Sequence, residues 1–109
     1  MSATQETLVR APRPGAEVLA EPMRSRWSPA VFATDAPVGD DEIVSMLTAA
    51  AWAPSTGNTQ PWAYVVTRAG TAAYDAVIAT LSNGNSGWVP TAPVVIVAAA
   101  LTGEWEGRK

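Results

Sequence analysis

Residues 94–100 read Val-Val-Ile-Val-Ala-Ala-Ala, with no polar side chain. A strand with one wet face alternates apolar and polar residues, so an unbroken apolar run is the pattern of a strand buried on both faces. Such a strand needs neighbours in its sheet and a layer over each side. The rest of the chain offers few. Residues 63–67, Ala-Tyr-Val-Val-Thr, read as a strand. Residues 40–53 and 71–82 read as helices. In the first, Asp40, Asp41 and Glu42 put negative charge where a helix start favours it. Ile43, Leu47 and Ala50 form one stripe with Met46 beside it, and Pro54 and Gly57 stop the helix. In the second, Tyr74, Val77, Ile78 and Leu81 recur at helical spacing, and Asn83-Gly84 is expected to close it as a left-handed C-cap. The order helix, strand, helix, strand predicts an α/β or α+β fold whose sheet is too thin for its own apolar strand. Either a partner completes the fold, or the chain is part of something larger.

With 109 residues there is room for one small domain. The chain is 48% hydrophobic and 16% charged, which predicts a folded core. Pro12, Pro14 and Pro22 leave space only for a short helical piece around residues 16–20, so 1–22 reads as a partly ordered arm ahead of a domain at 23–109. A net charge of -3 argues against nucleic acid as a partner. The longest apolar run, 92–101, falls far short of the roughly 20 residues a spanning helix needs. Arg10 and Arg13 precede no apolar export segment, so a cytoplasmic protein that does not enter membranes is expected. The chain contains no cysteine and no histidine. Thiol catalysis, serine–histidine triads and sites built on Cys or His metal ligands are therefore excluded.

The chemistry concentrates in residues 52–62, Trp-Ala-Pro-Ser-Thr-Gly-Asn-Thr-Gln-Pro-Trp. Two prolines and a glycine interrupt regular structure there. Ser55, Thr56, Asn58, Thr59 and Gln60 supply neutral donors and acceptors between two tryptophans. This suits a flat aromatic ligand with polar edges, and it lacks the anionic groups a metal requires. A second segment, 24–32, reads Arg-Ser-Arg-Trp-Ser-Pro-Ala-Val-Phe. Arginines flanked by serine hydroxyls match the geometry of a phosphate, and an arginine pair on a solvated turn is the alternative.

Three segments together resemble the N-terminal half of the FMN-dependent nitroreductase family. Arg26-Trp27-Ser28-Pro29-Ala30-Val31-Phe32 resembles its Arg-x-Ser-x-(Arg/Lys)-x-Phe signature. Residues 53–62, Ala-Pro-Ser-Thr-Gly-Asn-Thr-Gln-Pro-Trp, resemble its Ala-Pro-Ser-x-x-Asn-x-Gln-Pro-Trp signature almost letter for letter. Residues 85–97 resemble the loop and strand in which an asparagine approaches the flavin. The resemblance implies an α+β sandwich that works as an intertwined dimer, with FMN at the subunit interface. Arg26 and Ser28 would hold the FMN phosphate, with Arg24 as a helper. Pro54, Ser55 and Thr56 would pack on the flavin of the other subunit. Asn58 and Gln60 would shape the loop or reach the ring edge, and Asn85 would bond the pyrimidine end of the isoalloxazine.

The family's second basic residue falls at Ala30. Its chains also continue for about as long again, which implies that this sandwich is incomplete within the chain. The activity implied is two-electron transfer from NAD(P)H through FMN to a nitroaromatic, quinone or similar small-molecule acceptor. The chain would act as a fragment completed by a homodimer or by a longer nitroreductase-like subunit. Two alternatives remain open. One is the small subunit of a two-chain flavin oxidase such as a cyclodipeptide oxidase; the other is a non-catalytic module that keeps the fold. Trp27, Trp62, Trp88 and Trp105 are expected to pack, and Tyr64 and Tyr74 are assigned no chemistry.

Overall fold

The computed structural model describes residues 13–102. Two compact units divide the chain between Ala30 and Val31. In the first, Gly15 takes a φ of 85°, a left-handed conformation that a Cβ would disfavour. It leads into one 3-10 turn at Ala16–Val18, the short helical piece that the prolines allow. Ala16 is buried. The chain then turns twice more, with Arg24 N–H donating to the Ala20 carbonyl at 3.1 Å and Arg26 N–H to the Pro22 carbonyl at 3.0 Å.

The second unit carries the regular structure, in the order α1 (Asp40–Ala51), β1 (Trp62–Arg68), α2 (Ala72–Ile78) and β2 (Val94–Ala100). This is an α+β arrangement of two helices and a two-stranded sheet. Helix α1 starts at Gly39 without a side-chain cap, so the three acidic residues of its first turn are what complement its exposed N–H groups. Its expected stripe faces inward, with Ile43 buried and Leu47 and Ala50 half-buried, while Met46 stays half exposed. The helix ends at Ala51, and Trp52 behind it is 84% exposed. That tryptophan is therefore outside the core.

Strands β1 and β2 pair antiparallel, from Trp62 opposite Ala100 to Arg68 opposite Val94. The Ala69 N–H to Pro93 carbonyl bond, 2.9 Å, extends the ladder at one end, and the Leu101 N–H to Pro61 carbonyl bond, 2.7 Å, at the other. Paired residues share a face. Ala63, Val65 and Thr67 thus lie with Ala99, Val97 and Val95. On that face Val65 is 55% exposed and Val97 39%. The expectation that β2 is buried on both faces does not hold among the described residues, where β1 is its only neighbour and residues 97–100 are exposed. On the opposite face, Val94 and Ile96 line an apolar groove of about 470 Å³ together with Phe32, Val38, Met46 and Pro93. Thr67 is the one fully buried polar side chain described, and its hydroxyl donates to the Val95 carbonyl at 2.8 Å.

Helix α2 begins after Thr71, whose Oγ1 accepts the Tyr74 N–H at 3.3 Å. It stops at Ile78, short of the expected Ser82, and no left-handed cap forms at Asn83-Gly84. The cause is local: Thr80 and Leu81 N–H groups bond the carbonyls three residues back, of Val77 and Ile78, and close the helix tightly. A further tie fixes the start of residues 31–36. Phe32 N–H donates to Thr91 Oγ1 at 3.0 Å, and its ring stacks on Trp88 with centroids 6.0 Å apart. Of the tryptophans expected to pack, Trp27, Trp62 and Trp88 are half-buried and Trp105 lies outside the described residues.

Arg68 joins the far end of β1 to the start of α1. One guanidinium nitrogen donates to the Val38 carbonyl at 2.6 Å, and another pairs with Asp40. Asp40 is nearly fully exposed, so the ion pair adds little and the carbonyl bond carries most of the effect. Arg68→Ala is expected to cost about 1–2 kcal/mol, read as a lower urea midpoint with an unchanged slope.

Candidate functional site

The loop that follows α1 folds on itself. Ser55 is extended, and Thr56–Asn58 make one 3-10 turn in which Gly57 has φ 59° and ψ 19°. Asn58 and Gln60 also have positive φ, 54° and 49°. Side-chain residues disfavour this region by about 1 kcal/mol, and asparagine tolerates it better than glutamine does. What holds Gln60 there is visible: its N–H donates to Ser55 Oγ at 3.0 Å, which closes the loop across five residues. The Asn58 N–H bonds the Ser55 carbonyl at 3.0 Å, and Thr59 Oγ1 donates to the Thr56 carbonyl at 3.0 Å. Short-range bonds of this kind occupy the N–H groups of Asn58, Thr59 and Gln60 and the hydroxyls of Ser55 and Thr59. The amide side chains of Asn58 and Gln60 are exposed and make no hydrogen bond among the described residues. The result is a tight, uncharged loop with two exposed carboxamides.

Asn85 sits in the turn-rich stretch between α2 and β2. Its N–H donates to the Ser82 carbonyl at 2.9 Å, and its own carbonyl accepts from Val89 at 3.0 Å and from Trp88 at 3.3 Å. The main chain at Asn85 is thus fully committed. Its side chain is exposed and has no partner among the described residues. The loop at 54–60 and Asn85 share no hydrogen bond.

The arginine segment belongs to the first unit. Arg26 Nη1 donates to Ser28 Oγ at 3.3 Å, so guanidinium and hydroxyl stand side by side, and both residues are exposed. Neither carries an acidic partner among the described residues. Arg24 is placed differently. Its Nε donates to the Leu19 carbonyl at 2.8 Å and lies 3.9 Å from a Glu21 carboxylate oxygen. That arginine is partly used in holding the turn together. Arg13 figures in the sequence only as one of two arginines with no apolar export segment behind them. It reaches Arg26 across 13 residues, Nη2 donating to the Arg26 carbonyl at 3.4 Å.

No cluster of three His, Cys, Asp or Glu residues that could hold a metal ion occurs among the described residues. No helix among them is long and apolar enough to cross a membrane.

Comparison with known proteins agrees with this arrangement. A solved oxidoreductase containing FMN superposes with a TM-score of 0.62 at 33% sequence identity, covering 67% of this chain and 36% of that one. The chain thus spans about a third of that neighbour's length. No match is found among curated proteins. The Nitroreductase family matches residues 23–109, from just before Arg24 through both strands and all three motifs. By that match the chain belongs to the nitroreductase family.

Proposed function

We propose that this chain forms part of an FMN-dependent oxidoreductase that moves two electrons from NAD(P)H to a nitroaromatic, quinone or similar acceptor. The observation that carries this reading is the adjacency of Arg26 and Ser28, two exposed groups already hydrogen-bonded to each other and free of any described carboxylate. A guanidinium beside a hydroxyl is a donor set for a phosphate monoester. The neutral loop at Ser55–Gln60 fits the ring of such a cofactor held on a second polypeptide, a ring that is flat, mostly uncharged and rimmed with donors and acceptors. The FMN content of the solved relative adds support.

When bound, the isoalloxazine supplies the redox chemistry. The chain's own groups then have positioning work to do. Arg26 and Ser28 hold the phosphate. Pro54, Ser55 and Thr56 offer a rigid surface to the ring of a second polypeptide's flavin, with Asn58 and Gln60 presenting amides to the ring edge. Asn85 directs its free carboxamide at the polar pyrimidine end. None of these steps needs a histidine or cysteine, and the chain has neither. The second polypeptide, another copy or a longer nitroreductase-like subunit, covers the exposed Val65 and Val97 face and fills the apolar groove beside Val94 and Ile96.

The test is flavin uptake by the purified full chain, followed by absorbance near the flavin maxima and by fluorescence quenching. Wild type is expected to bind FMN. Asn85→Ala is expected to weaken FMN and riboflavin alike by about 3- to 10-fold, the loss of one hydrogen bond to the ring. A colourless chain that takes up no added FMN overturns the proposal.

A further inference from the structure

We infer that Arg13 is a third group of the phosphate-binding set, contributed by the segment that precedes the family match. The inference rests on the FMN reading for the identity of the ligand, and on the first unit's geometry for the site itself. The family match begins at residue 23, so Arg13 lies outside it. The sequence distance from Arg26 would leave the two unrelated in an extended chain. The fold closes that distance. Gly15 turns the backbone with φ 85°, the Ala16 N–H bonds the Arg13 carbonyl at 2.9 Å, and Arg13 Nη2 reaches the Arg26 carbonyl at 3.4 Å.

The electrostatics single out Arg13 over Arg24. Among the described residues only four side chains are basic, Arg13, Arg24, Arg26 and Arg68, and three of them fall in this unit. Arg24 has Glu21 beside it and its Nε on a carbonyl. Arg13 and Arg26 have no carboxylate partner among the described residues. Arg13 uses one nitrogen on the Arg26 carbonyl, which fixes the orientation of its plane and leaves the remaining donors of the fork available.

The experiment is a set of titrations of the full chain, wild type, Arg13→Ala and Arg13→Lys, with FMN, riboflavin and inorganic phosphate. Arg13→Ala is expected to weaken FMN by about 5- to 20-fold while riboflavin, which has no phosphate, binds as before. Arg13→Lys is expected to recover part of the loss, since it keeps the charge without the fork. The FMN affinity of wild type should also fall more steeply with salt than that of Arg13→Ala. A purely structural role for Arg13 would shift FMN and riboflavin together, and that result overturns the inference. Equal FMN affinity in wild type and Arg13→Ala overturns it while leaving the flavin reading intact. Binding of inorganic phosphate that depends on Arg13, in a chain that takes up no flavin, supports the anion site and overturns the flavin reading. A wild type that binds neither FMN nor inorganic phosphate overturns both.

Discussion

Tyr74→Ala is expected to lower the stability of the chain by about 3–5 kcal/mol, the usual cost of deleting a buried aromatic ring. Tyr74 is 6% exposed, which places it among the few buried large side chains in the second unit. It does two jobs. Its backbone N–H is capped by Thr71, which starts α2. Its hydroxyl bonds the Ala92 carbonyl at 2.7 Å, with the Pro90 carbonyl at 3.3 Å, and so ties α2 to the turn that launches β2. For a domain of this size each kcal/mol shifts the melting temperature by about 4–8 °C. The alanine variant should therefore melt at least about 12 °C below wild type when followed by circular dichroism. Tyr74→Phe keeps the ring and removes the hydroxyl. It leaves the buried Ala92 carbonyl unpaired and is expected to cost about 1–2 kcal/mol. The phenylalanine variant keeps the test decisive if the alanine variant fails to fold. Wild-type melting in both would mean that α2 is not held through this residue.

That tie also marks the limit of what the sequence discloses. Tyr74 falls at helical spacing with Val77 and Ile78, so its inward face is legible. Its hydroxyl partner is not, because Ala92 lies 18 residues away and is brought there by the β1–β2 register. The same holds for Arg68, whose contacts with Val38 and Asp40 span 30 and 28 residues. Patterns that depend on neighbours a few positions apart came through well. The α1 stripe and acidic first turn, the extent of β1 and the apolar run of β2 are examples. The end of α2 did not, since a 3-10 closure at Thr80 and Leu81 competes with a glycine cap on nearly equal terms, and no periodic signal separates them.

The candidate site shows the same division. The 52–62 loop was legible as a break in structure dense with neutral polar groups. Its conformation was not, because positive φ at Gln60 runs against that residue's own preference and depends on the Ser55 hydroxyl. One sequence feature gains meaning only beside the structure. Between Glu42 and Glu104 the only charged residues are Arg68 and Asp75. Arg68 is used within the chain, which leaves the loop and the sheet almost uncharged, while α1 keeps its acidic first turn. On one face of the sheet the paired residues Val65 and Val97 are both exposed. A cross-strand apolar pair left in water favours contact with another polypeptide. It accords with a flavin site shared with a second polypeptide.

On the proposed reading Arg26 meets the phosphate, and its removal should be felt by one half of the cofactor only. Arg26→Ala is expected to weaken FMN binding by about 10- to 100-fold, as for loss of charge-assisted bonds to a phosphate. Riboflavin, which offers the same ring and no phosphate, should bind the variant and the wild type equally. Arg26→Lys keeps the positive charge but not the planar fork that sits beside Ser28, and should fall between the two. Stability should change little, because Arg26 is exposed and its side chain bonds only the Ser28 hydroxyl among the described residues. The comparison with Asn85→Ala completes the argument. On the proposed reading Asn85 serves the ring, so its loss should weaken both flavins, whereas loss of Arg26 should weaken FMN alone. If Arg26→Ala lowered both affinities by the same factor, the arginine would be supporting the fold of its unit and would not be holding a phosphate.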